Sequence, residues 1–209
     1  MTLEQLRPVA DRLLEPFVDL SERLGLTPDA VSTVALVVAA AAGTAFALPG
    51  LDGPVAGLAE GWYLVGAVLV FVNGWLDLVD GALARRLEVE SEAGDLLDHV
   101  FDRYADIAIV AGLAAGVGRY DLGIAALTGV LMTSYLGTQA QAVGIERMYA
   151  GVVGRADRLL LVGVVGALVA LVGPAPLGVP LVAALLGLLA VVGHLTAVQR
   201  LYSALGQLT

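Results

Sequence analysis

Long uncharged stretches alternate along the chain with short polar segments, a pattern typical of helices that cross a membrane. The uncharged run 30–51 is long enough for one crossing, because about 20 apolar residues span the hydrocarbon core. A second uncharged run, 61–76, is shorter and continues into a charged segment, so the end of its helix must face protein or water. The run 159–199 is interrupted by Pro and Gly at 173–180, which predicts two helices.

Six crossing helices are predicted in total. The first covers 30–51, the second 62–86, the third 94–118 and the fourth 121–144, and the last two divide the run 159–199. Thr27-Pro28-Asp29 has the sequence of a helix start, with an N-cap, a proline at the first helical position and an acid in the first turn. The predicted fold class is an all-α integral membrane protein.

Ahead of these helices, apolar residues recur at helical intervals from residue 3 to residue 24, with charged residues between them. This pattern predicts an N-terminal amphipathic helix within 1–26 that lies on the membrane surface. A soluble helix packed on the ends of the crossing helices is the alternative. The remainder, 27–209, is predicted to form a single six-helix membrane domain. The opening residues lack a basic segment followed by an apolar one, so we expect no cleaved signal.

Composition agrees with one membrane domain: 58% of the 209 residues are hydrophobic, and the mean hydropathy is +0.86. The absence of cysteine excludes disulfides and thiolate metal sites. A net charge of −9 argues against a nucleic-acid partner. All 11 basic residues are arginine. Excess acid without lysine suits an archaeal protein from a salt-rich cytoplasm, and GC-biased codons are the alternative explanation.

The arginines are distributed unevenly over the two ends of the predicted helices. One end holds ten of them: Arg7, Arg12, Arg23, Arg85, Arg86, Arg103, Arg147, Arg155, Arg158 and Arg200. The other end holds only Arg119. Because basic residues concentrate on the cytoplasmic side, we expect both termini and the charged segment after residue 76 to face the cytoplasm, in a plasma-membrane protein.

Two acidic pairs lie where the second helix ends and the third begins. Asp77 and Asp80 fall within about 100° of arc on one helix, and Asp98 and Asp102 fall on a similarly narrow face of the other. Carboxylates at membrane depth are costly and mark functional sites. Four that converge would repel one another unless cations lay between them, and Mg²⁺ is the first candidate among hard divalent ions.

The spacing of these residues resembles the motif of the CDP-alcohol phosphotransferases of phospholipid synthesis. That motif is D-x2-D-G-x2-A-R, about eight residues, then G-x3-D-x3-D. All eight of its fixed residues are present here: Asp77, Asp80, Gly81, Ala84, Arg85, Gly94, Asp98 and Asp102. The resemblance implies displacement of CMP from a CDP-linked lipid, CDP-archaeol or CDP-diacylglycerol, by an alcohol.

The resemblance also implies roles for the motif residues. The metal ligands, for one or two Mg²⁺ or Mn²⁺ ions, would be Asp77, Asp80 and Asp98. Asp102 would be the catalytic base and could also touch the metal. The CDP-binding residues would be Asp77, Asp80, Gly81, Ala84, Arg85, Gly94 and Asp98. A homodimer is implied as well.

The acceptor alcohol is less clearly indicated. Arg155 and Arg158 open the fifth helix at a spacing that suits a phosphate dianion. This segment resembles the branch of the family that uses inositol phosphate. The acceptor-phosphate residues would be Arg155, Arg158, Arg200 and Gln139. Gln139 stands where that branch carries a basic residue, and Arg200 is the candidate to replace the missing charge. Glycerol phosphate and an uncharged alcohol, serine or inositol, remain alternatives.

A divalent-cation channel or transporter is the competing function from a different class. It would explain carboxylates at membrane depth. It would not explain the glycine and arginine positions in register with them, nor why the acids cluster near one face of the membrane.

Overall fold

A computed structural model of the chain describes residues 7–51, 56–145 and 154–208. The regular structure in these ranges is helical. Seven α-helices are present: α1 (Arg7–Arg23), α2 (Pro28–Ala47), α3 (Ala59–Leu87), α4 (Glu92–Val117), α5 (Tyr120–Ala142), α6 (Arg155–Val172) and α7 (Leu181–Leu208). Short 3-10 turns lie in the connections, at Leu48–Gly50, Ala56–Leu58 and Pro176–Gly178.

Helices α2 to α7 lie where the six crossing helices are predicted, with ends that differ by a few residues except in α7, which continues beyond the predicted run to Leu208. Three segments among the described residues are long and apolar enough to cross a membrane: Pro28–Gly50, Ala59–Leu87 and Pro176–Leu208. Helices α4 and α6 both begin with several charged residues, which lower their mean hydropathy. The all-helical class is confirmed, and a count of six spans stays a prediction.

Local signals in the sequence fix the helix ends around the motif. Thr27 caps α2 and accepts a hydrogen bond from the Ala30 backbone N–H, with Pro28 at the first helical position, as predicted. Ser91 caps α4 by accepting from the Gly94 backbone N–H at 3.1 Å. Helix α3 ends at Glu88, whose backbone is left-handed with φ 55°. Only residues 88–91 therefore separate α3 from α4.

Helix α1 packs along α3 through its apolar side. Leu14 and Val18 are buried against Val79 and Leu83 of α3. Arg86 of α3 forms ion pairs with two acids of α1, Asp19 and Glu22. The predicted amphipathic segment also includes residues 1–6, which lie outside the described residues, as does Arg147. Attachment of α1 to a membrane surface stays a prediction.

Helix α2 packs on both α3 and α4, and its contact with α4 is made backbone to backbone. A Cβ atom on Gly112 of α4 would lie 2.7 Å from Gly43 Cα on α2, well inside van der Waals contact. Small residues at such a crossing let two helices approach closely. This contact holds α4, with its share of the motif acids, against α2.

Buried polar side chains connect α3 to α2 and α6 to α4. Asn73 of α3 donates to the Ala35 carbonyl of α2 at 3.0 Å. Arg158 of α6 pairs with Asp106 of α4 at 2.9 Å, and both residues are almost fully buried. Arg103 Nη2 lies 3.7 Å from the same carboxylate. Asp106 thus stands between two guanidinium groups.

Gly112→Ala should destabilise the folded protein by about 1–3 kcal/mol, because the added methyl overpacks the α2–α4 contact. Gly187→Ala is the matched control, since Gly187 lies within α7 and no atom lies within 4 Å of its Cβ position. Alanine raises helix propensity at both sites. Thermal unfolding in detergent micelles measures both variants, and equal midpoints for the two would contradict the close contact.

Asp106→Leu should cost more stability than Arg158→Leu. Loss of the acid leaves the buried Arg158 guanidinium facing Arg103 without an anion, a defect of about 3–5 kcal/mol. Loss of Arg158 leaves Asp106 still paired with Arg103. The two unfolding midpoints, measured in one detergent, give the order directly. The opposite order would mean that Arg103 does not compensate Asp106.

Candidate functional site

Three of the four motif carboxylates meet between α3 and α4. One oxygen each from Asp77, Asp98 and Asp102 lies within 4.8 Å of the others. Asp98 and Asp102 project from the same face of α4 because they are four residues apart. The short connection between the helices brings Asp77 of α3 opposite them. Their convergence, expected from the sequence, is confirmed for these three.

Asp80, the fourth predicted ligand, lies outside this group. Its carboxylate faces α2, where it accepts a hydrogen bond of 2.6 Å from the Ser32 hydroxyl. Asp80 is three residues beyond Asp77, which turns its side chain about 60° away around the helix. The sequence predicted four carboxylates at one point. The structure has three together and one held by the neighbouring helix.

Arg155 supplies positive charge to the three-carboxylate group. Its guanidinium bonds Asp77 through Nη1 and Asp102 Oδ1 through Nη2, the latter at 2.9 Å. Arg103 Nη2 lies 3.5 Å from Asp102. Carboxylates this close repel one another unless cations accompany them. The group therefore has the charge and the oxygen donors of a site for hard cations.

A cleft of about 490 Å³ opens beside the carboxylates, between α2, α3 and the start of α4. All seven residues predicted to bind CDP line it: Asp77, Asp80, Gly81, Ala84, Arg85, Gly94 and Asp98. The opposite wall is built by Thr27, Pro28, Asp29 and Ser32. Gly81, Ala84 and Gly94 place little or no side-chain volume on the walls of the cleft.

The residues predicted to bind an acceptor phosphate occupy different environments. Arg155 lies among the carboxylates, and Arg158 is buried in its pair with Asp106. Arg200 of α7 donates to the Thr133 carbonyl at 2.7 Å, and its guanidinium lies over Gly137 of α5. Gln139 is exposed on α5. Of these four predicted residues, the structure places Arg155 in direct contact with the carboxylates.

Sequence reasoning missed two residues of the site. Ser32 contacts Asp80 across the α2–α3 interface, and Arg103 reaches both Asp102 and Asp106. The available signal for Ser32 was a hydroxyl in the first turns of an otherwise apolar helix. Arg103 directly follows a motif acid, so its place in the sequence gave no indication that it points to the same site.

Comparison with known proteins agrees with this geometry. The family model described as CDP-alcohol phosphatidyltransferase matches residues 25–199. Archaetidylinositol phosphate synthase of Methanothermobacter thermautotrophicus is 35% identical over 162 residues, which are 77% of this chain and 74% of the relative. The protein of the same name from Pyrococcus horikoshii is 29% identical over 203 residues, 97% of this chain and 96% of the relative.

Solved structures of Mycobacterium tuberculosis phosphatidylinositol phosphate synthase have the same fold. The structure with CDP-DAG bound gives a TM-score of 0.74 at 28% identity and covers 92% of this chain and 94% of its own. The structure in complex with manganese and citrate gives 0.76 at 27% identity, with 91% and 88% covered. From the motif, the fold and these matches together, the chain belongs to the CDP-alcohol phosphatidyltransferase family.

Proposed function

We propose that this protein is a membrane transferase that moves a phosphatidyl or archaetidyl group from a CDP-linked lipid to inositol phosphate and releases CMP. The observation that carries the proposal is the convergence of Asp77, Asp98 and Asp102 beside a cleft large enough for a nucleotide. Relatives named archaetidylinositol phosphate synthase support the choice of acceptor.

The donor set fits a divalent cation, since it consists of carboxylate oxygens gathered within a few ångströms. We assign Asp77, Asp80, Asp98 and Asp102 as ligands of one or two ions, Mg²⁺ or Mn²⁺. The manganese in the related mycobacterial structure supports a divalent metal. When bound, such ions neutralise the diphosphate and stabilise charge on the transferring phosphoryl group.

The cleft is assigned to the CDP portion of the lipid substrate. Gly81, Ala84 and Gly94 leave room for the nucleotide to approach the helix backbones, where larger side chains would intrude. Arg85 lines the same cleft and can donate two parallel hydrogen bonds to a phosphate. The lipid tails extend from this end of the molecule into the bilayer.

Asp102 is assigned as the base. The acceptor hydroxyl attacks the lipid-bearing β-phosphorus, its proton passes to Asp102, and the bond between that phosphorus and the bridging oxygen breaks to release CMP. A base must lie within hydrogen-bond reach of the proton that it takes. Asp102 meets this requirement for an acceptor hydroxyl that binds the three-carboxylate group at the Asp102 side.

The acceptor phosphate is assigned to Arg155, Arg158 and Arg200, with Gln139 as a further candidate. A guanidinium binds a phosphate through two parallel hydrogen bonds, which an uncharged alcohol cannot use. Glycerol phosphate would satisfy the same cations, so it is the nearest alternative. Serine or inositol would leave these arginines without a phosphate partner.

The membrane arrangement is part of the proposal. Helices α2 to α7 would form six crossings in a single domain, 27–209, preceded by an interfacial helix in 1–26. The concentration of arginine at one end supports a cytoplasmic site and cytoplasmic termini. The homodimer implied by the family and an archaeal source remain predictions, and the relatives include both archaeal and bacterial proteins.

A divalent-cation channel remains the alternative from another class. Carboxylates at membrane depth would suit it. Membership of a transferase family, and a cleft that contains every predicted nucleotide-binding residue, favour chemistry over conduction.

An acceptor panel tests the reaction. Purified protein given CDP-archaeol, Mg²⁺ and inositol phosphate should release CMP faster than with glycerol phosphate, serine or inositol, because the arginines favour a phosphate-bearing acceptor. Preference for an uncharged alcohol would contradict the assigned acceptor and leave the reaction class intact. No CMP with any acceptor would contradict the reaction class.

Asp98→Asn and Asp102→Asn should both abolish turnover, for different reasons. The first should lose metal affinity. The second should keep the metal, because the principal ligands Asp77, Asp80 and Asp98 remain, while losing the about 10²–10⁴-fold contribution of a general base. CMP release and Mn²⁺ binding, measured on the same preparations, separate the two roles. Retained turnover in either variant would refute the role assigned to that residue.

A further inference from the structure

We propose that Ser32 is a positioning residue for the metal site, whose hydroxyl fixes Asp80 so that this carboxylate can join Asp77, Asp98 and Asp102 around a divalent cation. The inference rests on the proposed function. It explains why Asp80 is separated from the other three carboxylates yet lines the same cleft. It also assigns a role to a residue outside the motif.

The contact between Ser32 and Asp80 has the geometry of a strong hydrogen bond. Ser32 Oγ lies 2.6 Å from Asp80 Oδ2, in the range of a hydroxyl that donates to a carboxylate. The two residues are 8% and 6% exposed, so water competes little for either group. They are 48 positions apart in sequence and meet only because α2 packs on α3.

A second side-chain bond between the same two helices shows the register in which they meet. Asn73, two helical turns before Asp80 on α3, donates to the carbonyl of Ala35, which is three residues after Ser32 on α2. Residue 32 of α2 contacts residue 80 of α3, and the later residue 35 contacts the earlier residue 73. The two helices therefore run antiparallel at this contact. The packing of α2 along α3 keeps the same register, so the Ser32 hydroxyl would stay beside the Asp80 carboxylate even without the Asn73 bond.

The consequence concerns the carboxylate's orientation. One oxygen, Oδ2, is occupied by the hydroxyl, which restrains rotation of the side chain and leaves the other oxygen for a ligand in the cleft. Carboxylates that bind metals are themselves commonly held by hydrogen bonds, and loss of such a partner lowers metal affinity about 10–100-fold. Removal of the Ser32 hydroxyl should act in the same way.

Mn²⁺ binding to the full-length protein in detergent micelles tests this, with free Mn²⁺ quantified by electron paramagnetic resonance. Ser32→Ala should weaken Mn²⁺ binding about 10–100-fold, and Ser32→Thr, which keeps a hydroxyl, should recover most of the affinity. Thr33→Ala is the matched control: Thr33 is the next residue on α2, and its hydroxyl bonds the Asp29 carbonyl of its own helix. It should bind Mn²⁺ like the wild type.

Asn73→Ala separates positioning from packing, because it removes a different side-chain bond between α2 and α3. It should lower the unfolding midpoint with little change in Mn²⁺ affinity. An equal loss of Mn²⁺ affinity in Asn73→Ala and Ser32→Ala would mean that Ser32 acts through helix packing. Wild-type Mn²⁺ affinity in Ser32→Ala would overturn the inference about Ser32 and leave the proposed function intact. If the wild-type protein bound no Mn²⁺, both the inference about Ser32 and the metal site assigned under the proposed function would be wrong.

Discussion

Three carboxylates that share a space a few ångströms wide are stable only when positive charge lies among them, and this electrostatic requirement organises the site. Arg155 reaches the group from α6, and Arg103 adjoins it from α4. A divalent cation would meet the same requirement and would also bind a diphosphate. Repulsion among the three carboxylates is thus unfavourable for the folded protein, and the same carboxylates provide the proposed site for a divalent cation.

Helix packing holds that charge in place. The α2–α4 contact at Gly43 and Gly112 brings two backbones together, and the four-residue connection between α3 and α4 joins the two halves of the motif. Neither device contributes a ligand. Each limits how far the acids can separate under their own repulsion, so residues remote from the chemistry determine whether the site exists.

Sequence patterns predicted much of this. Uncharged runs and the Thr27-Pro28-Asp29 start located the helices, because apolar length and capping are local properties. The motif spacing located the cleft residues, since helical periodicity places 77, 80, 81 and 84 on one side of α3. Side-chain partners between helices could not be read in this way. Ser32 and Asp80 meet through tertiary packing, and no local pattern in either helix encodes the other's position.

The same limit explains why the contact of Asp80 with Ser32 of α2 was not predicted. Periodicity gave the face of each helix but not which neighbour that face meets, so Asp80 was grouped with Asp77 although it turns toward α2. The acceptor residues show a similar difference. Arg155 and Arg158 are three residues apart, yet one contacts the carboxylate group and the other is buried against Asp106.

The basic side chains that contact the three-carboxylate group in the described part of the chain, Arg155 and Arg103, are guanidinium groups, and the chain has no lysine. Guanidinium stays protonated at any pH that a cell experiences, whereas a buried ammonium can lose its proton. The positive charges that Arg155 and Arg103 bring to the site are therefore constant across the physiological range. The ionisation of a bound phosphate monoester, whose second proton leaves near pH 6, is then the variable partner in recognition. In such a site the acceptor, rather than the basic side chains of the enzyme, would sense acidity.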